Sequence, residues 1–99
     1  FEKNLQNIKR KYPMCIEFVT NKGLIGAIIF KSFLGFKAKE ISSWVSSKCL
    51  KKGLLVVATN RDSIKFGPPL IITKKDLNKS MKIVDECIEE FIYENSKKN

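Results

Sequence analysis

The chain has 99 residues, 43% of them hydrophobic, enough for one domain with a buried core and too few for two. Its formal charge of +9 comes from 19 lysines and arginines against 10 acidic residues, yet only Arg10 and Arg61 carry the planar guanidinium that phosphate and base recognition favours. No histidine is present, so Ser-His-Asp and Cys-His catalysis is excluded within these residues. No apolar run reaches the length of a membrane span, and no basic segment leads into an apolar one at the start. The expectation is a cytoplasmic protein that does not act at a membrane.

Phe1, Leu5, Ile8 and Tyr12 recur with helical spacing, so the chain opens already inside a helix, as a piece of a longer chain would. Pro13 ends that helix, because proline lacks a donor and pushes the preceding residue out of the α region. CIEFV (15–19) reads as a strand, TNKG (20–23) as a turn and LIGAIIF (24–30) as a second strand, the two forming an antiparallel hairpin. Gly26 and Ala27 leave room for a helix to lie close over that second strand. KSFLGFK (31–37) is a loop whose Phe33, Leu34 and Phe36 either cover a neighbouring domain or subunit or fold onto the chain's own core.

A second helix starts at Ala38, carries Ile41, Val45 and Cys49 on one side, and ends near Lys52 with Gly53 as its cap. Trp44 on this helix reads as a packing residue. LLVVAT (54–59) is a buried strand, NRDS (60–63) a turn and IKF (64–66) a strand that Gly67-Pro68-Pro69 terminates. Thr73 caps a last helix with the stripe Leu77, Met81, Val84, Ile88 and Phe91 or Ile92, and residues 94–99 fray. The fold class is therefore α+β: helices layered against a mainly antiparallel sheet of three or four strands, in the order α-β-β-α-β-β-α.

Little chemistry is visible in this pattern. Cys15, Cys49 and Cys87 are odd in number, far apart and set in apolar runs, which reads as reduced core thiols and gives no metal site. Gly23-x-x-Gly26 runs into a strand and not a helix, so it does not form a phosphate loop. Asp85, Glu86, Glu89 and Glu90 lie among lysines at helical spacing and read as a solvated face. Lys65 stands apart, because it sits mid-strand, points away from the face used by Ile64 and Phe66, and precedes a rigid Pro-Pro. Such a cation can meet a carboxylate, and the alternative is an ordinary solvent-facing lysine.

NKGLIGAIIF, a helix closing in KKGLLV, DSIKFGPPLIIT and the helix KKDLNKSMKIVDECIEEF follow one another in an order that resembles the C-terminal small domain of class-III pyridoxal-phosphate aminotransferases. The resemblance spans roughly residues 1–92 and implies the small domain of a fold-type-I enzyme at 1–93, followed by a frayed tail at 94–99. It also implies transfer of an amino group from an amino acid or amine donor to a 2-oxo acid, in a homodimer. Pyridoxal 5'-phosphate would be bound by the large domain that precedes such a segment, so no catalytic or cofactor-binding residue, and no Schiff-base lysine, is expected here.

In the family an arginine in IRFxPPL binds a substrate carboxylate and helps close the cleft. The matching position here is Lys65, with Arg61 in the adjacent turn as a second candidate cation. Where the family tends to have VRGxG this chain has VTNKG, so Thr20 replaces an arginine and Asn21 a glycine. These departures leave room for a relative with changed catalysis. The alternative from another class is a free-standing basic α+β module that binds nucleic acid or an acidic partner. Lysines spread from Lys3 to Lys98 argue against nucleic acid.

Overall fold

The computed structural model describes residues 2–22, 25–54, 56–59, 62–66 and 74–96. The element order is α1 (Glu2–Lys11), β1 (Ile16–Lys22), β2 (Ile25–Phe30), α2 (Ala38–Lys51), β3 (Val57–Ala58), β4 (Ser63–Phe66) and α3 (Lys74–Ser96). This is the α-β-β-α-β-β-α order that the hydrophobic spacing implies. Expectations that fall on Phe1, Arg61, Gly67-Pro68-Pro69 and Thr73 lie outside the described residues.

The four strands form one sheet in the order β1-β2-β4-β3, and every neighbouring pair is antiparallel. β2 is central because LIGAIIF has apolar side chains for both faces, whereas β1 alternates and sits at an edge. One face is the core. Val19, Ile28, Ile64 and Ala58 lie in a single lateral row there, and Ile28 and Ile64 are fully buried. Against this side α1 packs on β1 and α2 packs on β2, β3 and β4, while α3 packs on both helices.

Three expectations are corrected. TNKG is not a four-residue turn, because Thr20, Asn21 and Lys22 continue β1 and Lys22 pairs with Ile25. β-sheet pairing with β2 outweighs the turn preference of Asn21. Ala27 does not lie under a helix: it pairs with Lys65, on the face opposite Ile28. Nor does the chain fray at 94, since α3 runs through Ser96 and Asn95, which is buried, donates its Nδ2 to the Phe91 carbonyl at 2.8 Å.

The loop after β2 folds onto the chain's own core. Phe33 and Phe36 bond to each other across a two-residue turn in which Leu34 has φ 54° and Gly35 φ 82°. That reversal sets the Phe36 ring edge-on to Phe91 at 5.3 Å, and Trp44 meets Phe91 in the same geometry at 5.3 Å. α2 ends as the sequence implies: Gly53 at φ 88° donates to the Leu50 carbonyl, and the Leu54 N–H reaches back to that of Cys49.

The acidic residues of α3 are more than a solvated face. Asp85 pairs with Lys11 at 2.8 Å and accepts a hydrogen bond from the Tyr12 hydroxyl, which ties α3 to α1. Lys52, just past the end of α2, meets Glu90 at 2.6 Å and Glu86 at 3.5 Å, which ties α3 to α2. Burial, and then the bond to Asp85, hold the Tyr12 hydroxyl well above its ordinary value of 10.0, so its neutral form is the folded one.

Removing the Asp85 carboxylate leaves the buried Tyr12 hydroxyl without this acceptor and Lys11 without its partner. Asp85→Ala should cost about 1–3 kcal/mol in denaturant unfolding, with a much smaller added loss when combined with Tyr12→Phe. The raised Tyr12 value also sets a sign. Its contribution is fully present below pH 10 and fades as pH rises above that point, because only the unfolded chain then ionises readily. Tyr12→Phe should flatten the alkaline part of the stability profile.

Candidate functional site

The sheet has a second face. In antiparallel pairing, directly opposed residues project to the same side, so the register places Thr20, Ala27, Lys65 and Val57 in one row across all four strands. Thr20 and Lys65 are exposed, and Val57 is 60% exposed. The adjacent row holds Phe18, which is 45% exposed, then Ile29 and Ser63. This is an open platform with apolar residues at both edges and a cation near its middle.

Lys65 is held there by the backbone of β4, bonded to β2 on one side and β3 on the other, and by burial of Ile64 next to it. Moving Lys65 to the core face would expose Ile64 and bury a charge. No carboxylate among the described residues lies within ion-pairing distance of Lys65. The described ion pairs involve Lys11, Lys48 and Lys52, all on the helical side. Lys65 is thus a placed charge without a protein counter-ion among these residues. Arg61, the other candidate cation, lies outside the described residues.

Sequence reasoning singled out Lys65 and Thr20 separately, and the structure brings them to one row. The sequence alone keeps them apart, because the local turn preference of TNKG takes Thr20 out of the sheet. The signal was available in the alternation of Phe18 and Thr20 against Val19.

Elsewhere the chemistry is quiet. Cys15, Cys49 and Cys87 are free and buried, as their apolar surroundings imply. Burial pushes the Cys15 thiol up to about 11 and raises those of Cys49 and Cys87, which keeps them protonated and poor nucleophiles. Among the described residues no three metal-ligating side chains cluster. A groove of about 650 Å³ runs over the helices between Phe36, Lys39, Trp44, Lys48 and Glu94. Its rim mixes charges, its aromatic floor is engaged with Phe91, and it lies on the helical side of the sheet.

A lysine that forms an imine with a cofactor must be desolvated to become nucleophilic. The lysines whose side chains are described are all exposed or half-exposed in the 99-residue chain by itself. They are distributed over α1, α2, α3 and the sheet.

The fold is that of the small domain of fold-type-I pyridoxal-phosphate enzymes, and the structures it superposes on are class-III transaminases. Acetylornithine aminotransferase from Elizabethkingia anophelis matches with a TM-score of 0.75 and 26% identity, over 89% of this chain and 22% of that one. In sequence the chain is 33% identical over 84 residues to acetylornithine aminotransferase of Prochlorococcus marinus subsp. pastoris, covering 84% of this chain and 19% of that protein. It is 32% identical over 76 residues to ornithine aminotransferase of Emericella nidulans, covering 76% of this chain and 16% of that protein. No family model matches the chain. In sequence and fold the chain resembles the class-III aminotransferases, the group of acetylornithine and ornithine aminotransferase. It spans about a fifth of the length of the curated relatives it matches, consistent with a C-terminal segment of such an enzyme.

Register can be tested through stability. In the 99-residue chain, Lys65→Ala should change unfolding free energy by less than about 0.5 kcal/mol, as an exposed side chain without a partner would. Ile64→Ala, one residue away, should cost about 2–5 kcal/mol.

Proposed function

We propose that residues 1–93 are the C-terminal small domain of a full-length class-III aminotransferase. That enzyme moves an amino group from an amino acid or amine donor to a 2-oxo acid, and Lys65 binds a carboxylate of the substrate. The observation that carries the reading is the position of Lys65: an exposed cation, fixed mid-strand on the open face of the sheet, with no described counter-ion. The relatives' own activities support the reaction class.

An ammonium attracts a carboxylate as a compact charge with three donors, and closure of the rest of the enzyme over this partly apolar face would exclude water and strengthen the attraction. The same open face, with Phe18 and Val57 at its edges, is where the domain would meet the rest of the enzyme and close the cleft over bound substrate. Pyridoxal phosphate would be held outside residues 1–99, where it supplies the electrophilic carbonyl and the electron sink of the transfer. Arg61 keeps its place as a second candidate for the carboxylate. The enzyme is proposed to be a cytoplasmic homodimer. Three buried free thiols suit a reducing compartment, and no described helix is long and apolar enough to cross a membrane.

In the full-length enzyme, Lys65→Ala should raise KM for the acidic substrate about 10- to 100-fold, the worth of a hydrogen bond to a charged group. The visible absorbance of the bound cofactor should stay unchanged. Steady-state kinetics checks this, and an unaltered KM would remove Lys65 from the site.

A further inference from the structure

We propose that Thr20 is a second contact of the carboxylate site, a specificity-determining residue that works with Lys65 across the small floor of Ala27. The inference rests on the reading of Lys65 as the carboxylate-binding cation and adds what the cation lacks. An ammonium supplies charge but not the planar, two-point geometry that orients a carboxylate, so the second oxygen calls for a donor close by.

The register decides which side chain can provide it. The flanking positions in the row of Lys65 are Ala27 and Val57, neither of which has a polar side-chain atom. Ser63 shares the open face, but it is buried and its hydroxyl is engaged with that of Thr59 at 2.9 Å. The next member of the row is Thr20, opposite Ala27 on β1. It is exposed, and its hydroxyl bonds to no other described residue.

Reach is consistent with this pairing. Thr20 and Lys65 are two strand spacings apart, about 9–10 Å between backbones. A lysine side chain leaning over Ala27 spans the first spacing, and a carboxylate accepting from both groups fills the remainder. Ala27 is only 8% exposed although it stands on the open face, so its methyl is already screened from water by what surrounds it. A larger residue at that position would separate the two donors.

The test uses the full-length enzyme with Thr20→Val, which keeps the shape and strand preference of threonine and removes only the hydroxyl, and Thr20→Ser, which restores it. Each is assayed with an amino-acid donor and with a simple amine that has no carboxylate. Thr20→Val should raise KM for the amino acid about tenfold with little change in kcat, Thr20→Ser should stay near the parent, and the amine should not distinguish the variants.

If Thr20→Val leaves the amino-acid KM unchanged while Lys65→Ala raises it, the Thr20 contact is wrong and the Lys65 reading stands. If Lys65→Ala has no effect either, the carboxylate reading itself fails and this inference fails with it. An equal rise for amine and amino acid would mark Thr20 as structural and overturn the proposal.

Discussion

Everything at the candidate site depends on the register between β2 and β4. Side chains alternate along a strand, so a slip of one residue would turn Ile64 to solvent and drive Lys65 into the core. The register is held because Ile28 and Ile64, paired with each other, are both fully buried under the helices. Burying each contributes about 1.5–3 kcal/mol, and burying an unpaired lysine charge would cost several. The position of the cation is therefore a by-product of core packing, and it needs no specific contact of its own. If Lys65 is the proposed binding group, the forces that fix the fold also aim its side chain.

The helical layer depends on the same economy of contacts. α3 covers α1 and α2 through Met81, Val84, Ile88 and Phe91, and its charges fasten each end of that layer: Asp85 to Lys11 and Tyr12, Glu86 and Glu90 to Lys52. Exposed ion pairs alone contribute little. The Tyr12–Asp85 bond differs because the hydroxyl is partly buried, and its loss would leave an unsatisfied polar group. With the helices fixed on one side, no described helix covers the other side of the sheet, the side proposed to meet a partner domain or a ligand.

Much of the architecture was legible in the sequence. Helical spacing marked α1, α2 and α3, Gly53 marked the end of α2, and β-formers around Lys65 marked β4. What the sequence did not reveal is what depends on partners distant in the chain. Asn21 reads locally as a turn residue, but pairing with Gly26 keeps it in β1. Asp85 and Glu90 have lysines nearby on their own helix, yet their partners Lys11 and Lys52 are 74 and 38 residues away. Phe33 and Phe36 look like exposed hydrophobes until a turn with positive φ at Leu34 and Gly35 brings them to the core. At the site, Lys65 could be singled out from its own strand, whereas its relation to Thr20 exists only through the ladder.

The chemistry that follows is modest in parts and specific in sum. A compact cation, a hydroxyl and a small floor on a rigid sheet suit one carboxylate better than an extended anion such as a nucleic acid. The most direct measurement is a crystal structure of the intact enzyme with a dicarboxylic 2-oxo acid bound. The account predicts a substrate carboxylate oxygen within hydrogen-bond distance of the Lys65 ammonium, on the open face of the sheet. A bound substrate whose carboxylates are all held by other residues, with Lys65 facing bulk water, would contradict it.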